Sequence, residues 1–100
     1  MPRAYTVERI EKRVPIEVAV HICGDERTPG VEETFTENVS ARGARVITGR
    51  RWRMNDLLML ASAGDFQTVA RVAYCQPRRG EGFAIGLEFL EPVGSWVVHS

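Results

Sequence analysis

The stretch "FAIGLEFL", residues Phe83 to Leu90, decides the fold class. Large apolar residues recur there at every second position, and small or charged residues stand between them. A period of two residues is typical of a β-strand with one face towards a core and one face towards solvent. We therefore predict a strand whose inward residues are Phe83, Ile85, Leu87 and Phe89 and whose outward residues are Ala84, Gly86 and Glu88.

Other strand-like segments precede this one, and residues typical of turns separate them. They are "PIEVAVHI" (15–22), "VEETFTENV" (31–39), "GARVIT" (43–48), "LLMLAS" (57–62) and "FQTVARVAYC" (66–75). Short strands between Gly-rich and Pro-rich turns, with no helical period among them, indicate an all-β barrel or sandwich. A closed barrel also removes the unpaired edges that an open sheet would expose.

The composition limits the classes of function. The chain has 100 residues and a formal net charge of +0, which predicts one domain without a global field for nucleic acid or an anionic membrane. Its longest apolar stretch, Leu57 to Ala63, is far shorter than the roughly 20 residues of a membrane helix. Without an apolar leader at the N-terminus, we expect a cytoplasmic protein with no membrane insertion. Cys23 and Cys75 fit no metal-ligand spacing, and we interpret them as small strand hydrophobes, with a redox pair as the alternative.

The two ends of the chain depart from the strand pattern. Residues 1–14 are polar, basic and only weakly periodic, and we interpret them as a flexible arm in front of a barrel domain at residues 15–100. The end of the chain, "EPVGSWVVHS", begins with the helix-hostile Pro92 and Gly94. It predicts a short tail that caps the barrel or continues an edge rather than a long helix.

Two motifs carry the functional signal. Residues 9–13 read R-x-x-x-R, with Arg9 and Arg13 at its ends, just ahead of the first strand. Residues 38–43 read N-x-S-x-x-G, with Asn38, Ser40 and Gly43, at the corner between the next two strands. In this order and spacing they resemble the PilZ domain, a bacterial receptor module for the second messenger cyclic di-GMP. The resemblance covers nearly the whole chain.

The resemblance implies a six-stranded antiparallel β-barrel of the split-barrel type. It also implies that Arg9 and Arg13 clasp cyclic di-GMP while Asn38, Ser40 and Gly43 form the barrel side of the site. The chemistry agrees, because a guanidinium pairs bidentately with phosphate or with guanine O6 and N7. An amide and a hydroxyl two residues apart on an extended segment point the same way. We expect Gly43 to adopt a positive φ and to let the ligand approach the backbone.

Some positions depart from the family pattern or add to it. Many members carry an arginine directly after the first one of the arm, and this chain has Ile10 there. The family's frequent C-terminal helix has only a short apolar tail as its counterpart. Arg42 and Arg45 flank the corner motif, and both are further candidates for phosphate contacts. The alternative is that they are solvated surface arginines.

Other functions remain as alternatives. A turn stabilised by side-chain hydrogen bonds and a solvated basic leader would explain the two motifs without a ligand. The barrel would then be a protein-interaction module that binds no nucleotide. A general single-strand nucleic-acid barrel is a third class, although we expect Trp52 of "GRRWR" to pack on the barrel. No nucleophile motif or metal spacing is present, and the neighbouring carboxylates Glu32 and Glu33 alternate to opposite strand faces, so they cannot act on one substrate. We therefore expect no enzyme, metal or cofactor, and a downstream protein partner whose identity the sequence does not give.

Overall fold

The chain forms a closed β-barrel. The computed structural model describes residues 15–25, 29–62 and 66–91. Its strands are β1 (Ala19–Cys23), β2 (Val31–Ser40), β3 (Gly43–Thr48), β4 (Leu57–Ser62), β5 (Gln67–Pro77) and β6 (Phe83–Phe89). Every pair of neighbours is antiparallel, and the order β1-β2-β3-β6-β5-β4 closes because β1 also pairs with β4. The six-stranded antiparallel barrel predicted from the sequence is confirmed.

Apolar side chains, most of them from the six strands, fill the interior. The core comprises Val20, Ile22, Val39, Ala44, Val46, Trp52, Leu58, Leu60, Ala70, Val72, Ile85, Leu87 and Phe89. Ile85, Leu87 and Phe89 are thus buried as predicted, while Phe83 is half-buried. Ala84 and Gly86, expected on the solvent face, are buried too. The prediction was wrong on this point, and at Gly86 the reason is that the Tyr74 ring lies over the position.

Two β-bulges interrupt the regular alternation. In β2, Thr36 pairs with Val46 but Asn38 pairs with Arg45, so Glu37 is an extra residue. The inward positions of β2 are consequently three residues apart, since Thr36 and Val39 are both 0% exposed. A bulge of this kind turns two successive side chains to the same face, and here it leaves Glu37 and Asn38 both outside the barrel.

The second bulge lies in β5. Val72 pairs with Leu87 but Tyr74 pairs with Gly86, so Ala73 is the extra residue. Val72 is buried, and Tyr74 lies on the outer face of β6 against Gly86. This bulge therefore supplies the side chain that covers Gly86.

A polar cluster organises the end of the barrel where β3 leads into β4. The hydroxyl of Thr48, 1% exposed, accepts hydrogen bonds from Trp52 Nε1 at 3.2 Å and from the Arg50 N–H at 3.2 Å. The same hydroxyl donates to Glu32 Oε1 at 2.6 Å. Trp52 is 4% exposed and belongs to the core, which confirms that it packs on the barrel.

The first described residues, 15–18, lead into β1. The expected first strand at 15–22 begins later, at Ala19. Residues 16 and 18 bind instead to Thr36, whose hydroxyl donates to the Ile16 carbonyl at 2.8 Å and accepts from the Val18 N–H at 2.9 Å. The predicted arm at 1–14 and the predicted tail from residue 92 lie outside the described residues.

Candidate functional site

The corner between β2 and β3 is a tight turn that Ser40 stabilises. The Ser40 hydroxyl accepts from the Arg42 N–H at 3.2 Å and donates to the Gly43 carbonyl at 3.4 Å. Its side chain is buried, with Ser40 only 1% exposed. The side-chain-to-backbone turn that the sequence left open as an alternative is therefore present. Direct binding of a ligand by this hydroxyl stays a prediction.

Gly43 is required by a neighbouring strand rather than by its own backbone angle. The expected positive φ is wrong, since Gly30, Gly80 and Gly82 are the described glycines with positive φ. A Cβ atom at Gly43 would overlap the carbonyl oxygen of Leu87 in β6 and lie 3.1 Å from the Leu87 carbonyl carbon. The glycine thus allows β3 and β6 to approach closely beside the corner.

Asn38 and Arg45 lie side by side at the outer surface. They are register partners on β2 and β3, next to the bulge at Glu37. Val39, which follows Asn38, is buried as expected, and Arg45 stands between the buried Ala44 and Val46. The corner motif and Arg45 therefore contribute to one surface.

Arg45 is half-buried at the barrel surface, and three acceptors hold its guanidinium. Its Nε donates to Glu37 Oε1 at 2.7 Å, and its Nη1 donates to the Tyr74 hydroxyl at 2.8 Å and to Gln76 Oε1 at 3.3 Å. The guanidinium carbon lies 5.7 Å from the centre of the Tyr74 ring, within the range of a cation–π contact. Hydrogen bonds to Glu37 and then Tyr74 raise the pKa of Arg45 above its ordinary value.

Arg42 lies at the tip of the corner and is exposed. It lines a cleft of about 160 Å³ together with Arg71, Tyr74, Gly86 and Glu88. Arg71 is ion-paired with Glu88 across the cleft. Of the two flanking arginines, Arg45 therefore faces Asn38, whereas Arg42 borders this neighbouring cleft.

The structure brings together Asn38, Ser40, Gly43, Arg42 and Arg45. Arg9 and Arg13 lie outside the described residues, so their place relative to this surface is a prediction.

Sequence reasoning missed Glu37, Tyr74 and Gly86. Two of these positions depend on the bulges, whose extra residues leave no signal in the pattern of apolar residues. An aromatic residue two strands away from the motif also has no sequence feature that links it to Asn38. Within the ranges the structure describes, no cluster of His, Cys, Asp or Glu is arranged to hold a metal. Across the same ranges no helix has the length and apolarity needed to cross a membrane.

Comparison with known proteins agrees with the family resemblance and with the barrel fold. A family model described as "PilZ domain" matches residues 8–94. A solved structure from Bacillus subtilis, "Inhibitor of motility (MotI/DgrA)", superposes with a TM-score of 0.68 at 21% sequence identity, covering 99% of this chain and 48% of that chain. This chain thus spans about half the length of that neighbour, and the likeness shows a common fold. No curated protein sequence matches.

Proposed function

Because the chain belongs to the PilZ domain family, whose members are binding modules, we propose that it is a bacterial, cytoplasmic receptor for cyclic di-GMP. Arg9 and Arg13 of the arm clasp the ligand. Asn38 faces a guanine edge, and Ser40 and Gly43 form the corner that presents Asn38. The arm spans residues 1–14 and becomes ordered over the bound ligand, which changes the surface available to a downstream protein.

The observation that carries this proposal is where the chain enters the barrel. The Thr36 hydroxyl donates to the Ile16 carbonyl at 2.8 Å, and the Thr36 N–H donates to the Val18 carbonyl at 3.0 Å. Since β1 and β2 are antiparallel, Pro15 and Ile16 lie towards the end of β2 that carries Asn38. Arg13 precedes Ile16 by three residues, so their Cα atoms are at most about 11 Å apart. That reach supports a joint site.

The chemistry of the ligand explains why both motifs are needed. Ordering the five residues from Arg9 to Arg13 costs on the order of 5–10 kcal/mol if they are free beforehand. Charge-assisted hydrogen bonds contribute roughly 1.5–3 kcal/mol each, and stacking on a base about 1–3 kcal/mol. Two arginines with several such contacts offset the ordering cost, whereas one contact does not. Arm ordering should reduce tryptic cleavage between Arg3 and Arg13 when ligand is added; unchanged cleavage at saturation would exclude it.

Titration calorimetry with cyclic di-GMP tests the proposal. We expect saturable binding by the wild-type chain. Arg13→Ala should weaken it by roughly tenfold to several hundredfold, because one or two charged contacts are lost. The matched control is Arg53→Ala, an exposed arginine in the loop after β3, at the opposite end of that strand from Gly43. Absence of saturable wild-type binding contradicts receptor function, and an unchanged affinity of Arg13→Ala contradicts the clasp.

The second candidate is a PilZ-like protein-interaction module that binds no nucleotide. A row of apolar residues on the outside of the barrel favours it: Val31, Cys23, Met59 and Val69 are successive register partners across β2, β1, β4 and β5. Val31 is 63% exposed and Met59 37%, where a strand face in water is usually polar. This row is compatible with a receptor that has a protein partner. If the chain does not bind the messenger, the interaction module is the candidate function that remains.

A general single-strand nucleic-acid barrel is distinguished by salt. Such a protein would bind oligonucleotides with an affinity that falls steeply as salt rises. We expect no such binding, since Trp52, the aromatic residue of the basic stretch, is buried and unavailable for base stacking.

A further inference from the structure

An outer row of four residues crosses four strands between the two bulges. Asn38 pairs with Arg45, Arg45 with Gly86, and Gly86 with Tyr74. The bulge at Glu37 stands at one end of this row and the bulge at Ala73 at the other. Bulges re-aim side chains and occur next to functional sites. Both bulges here aim side chains at Arg45.

We propose, on the basis of the receptor function above, that Arg45 is the residue that distinguishes guanine from adenine, and that Glu37 and Tyr74 are its positioning residues. Guanine offers two acceptors, O6 and N7, to a guanidinium, whereas adenine replaces O6 with an amino donor. A guanidinium fixed next to Asn38 therefore donates to both acceptors of guanine, whereas with adenine it keeps only N7 as an acceptor and meets the amino donor where O6 would be. A mobile one would discriminate less, because it could turn away.

The hydrogen bonds of Arg45 leave one side of its guanidinium for a ligand. Nε is taken by Glu37, and Nη1 by Tyr74 and Gln76. Arginine has five N–H donors in a planar fork. Among the described residues no acceptor binds Nη2. The three contacts thus lock the plane of the fork while Nη2 keeps its donors for a base edge.

Gly86 makes this arrangement possible. A Cβ atom at Gly86 would overlap the Tyr74 ring, with even the ring atom Cδ2 at 2.7 Å. The ring therefore lies directly on the backbone of β6, which brings its hydroxyl within 2.8 Å of Arg45 Nη1. Any larger residue in place of Gly86 would displace Tyr74 and release one of the contacts that hold the guanidinium.

The test compares affinities for cyclic di-GMP and cyclic di-AMP by titration calorimetry. The wild-type chain should prefer cyclic di-GMP by about 5- to 150-fold. Arg45→Gln should lower that ratio to near one. Tyr74→Phe and Glu37→Gln should each lower it several-fold at an unchanged melting temperature, which a merely structural role would not do. Glu33→Gln is the matched control, an exposed carboxylate of the same strand paired with His21 at 3.3 Å, and should keep the wild-type ratio.

The outcomes separate this inference from the receptor function. If the wild-type chain binds neither dinucleotide, both the receptor function and this inference are contradicted. A wild-type chain that binds cyclic di-GMP, with Tyr74→Phe and Glu37→Gln both at the wild-type ratio, overturns the positioning role and leaves the receptor intact. Equal losses of affinity for the two ligands in Arg45→Gln overturn its role in base selection.

Discussion

Gly43→Ala should destabilise the barrel strongly, although the position belongs to the motif that we propose to bind the ligand. The added methyl group would overlap the backbone carbonyl of Leu87, which cannot rotate away as a side chain can. Strands β3 and β6 would have to separate beside the pair Gly43–Glu88 and beside the hydrogen bond from the Phe89 N–H to the Arg42 carbonyl at 2.8 Å.

The expected cost follows from these contacts. Overpacking at a site that cannot relax costs roughly 1–3 kcal/mol, and each weakened strand hydrogen bond about 0.5–1.5 kcal/mol. Alanine also lowers the conformational entropy of the unfolded chain, which stabilises the folded state by about 0.4–1 kcal/mol and offsets part of this cost. We expect Gly43→Ala to lower the free energy of unfolding by about 2–4 kcal/mol. In a domain of this size that lowers the melting temperature by roughly 10–25 °C.

Thermal melting followed by circular dichroism, together with a cyclic di-GMP titration below the transition, measures the effect. Gly49→Ala is the control, because the nearest atom to its Cβ would be Glu32 Oε2 at an ordinary 3.5 Å; it should change stability by no more than about 0.5 kcal/mol. If Gly43→Ala has the wild-type melting temperature but no longer binds cyclic di-GMP, then the glycine is needed for the approach of the ligand. That result would contradict a requirement for glycine beside Leu87 of β6.

Two buried threonines give further predictions, each measured by urea unfolding against Thr68→Val, a control whose half-buried hydroxyl has only a long contact of 3.5 Å with the Val69 carbonyl. Thr36→Val should lower the free energy of unfolding by about 2–4 kcal/mol, because the Val18 N–H and the Ile16 carbonyl lose their hydrogen-bond partner. It should also weaken cyclic di-GMP binding, because residues 16–18, which connect the proposed arm to β1, are then no longer held against β2. An unaltered affinity would contradict a role of residues 16–18 in positioning the arm at the site. Thr48→Val should cost about 1–3 kcal/mol, because Trp52 Nε1 loses its acceptor inside the barrel; stability equal to the control would contradict this.

Several strands could be predicted because their inward faces carry apolar residues that recur with period two. The segment from Phe83 to Phe89 is the clearest case, and its predicted inward residues Ile85 and Leu87 are in the core. The start of β1 was predicted too early, because Pro15 has no N–H to donate and the next residues bind Thr36 instead of continuing the ladder.

Only the part of the candidate site that lies within one short sequence motif could be predicted. Asn38, Ser40 and Gly43 were found as a motif, but the reason for Gly43 lies in Leu87, far along the chain. The surroundings of Arg45 depend on two bulges that bring Glu37 and Tyr74 to it. Such contacts follow from strand register, which the alternation of apolar residues does not specify at a bulge.

The most direct test of the central claim is a nuclear magnetic resonance titration of the ¹⁵N-labelled chain with cyclic di-GMP. If arm and corner bind one ligand together, the amide signals of Arg9 to Arg13 and those of Asn38 to Gly43 will shift with a common midpoint and saturate together. Corner signals that stay in place while the arm signals saturate, or a spectrum that does not respond to the messenger, would contradict the account.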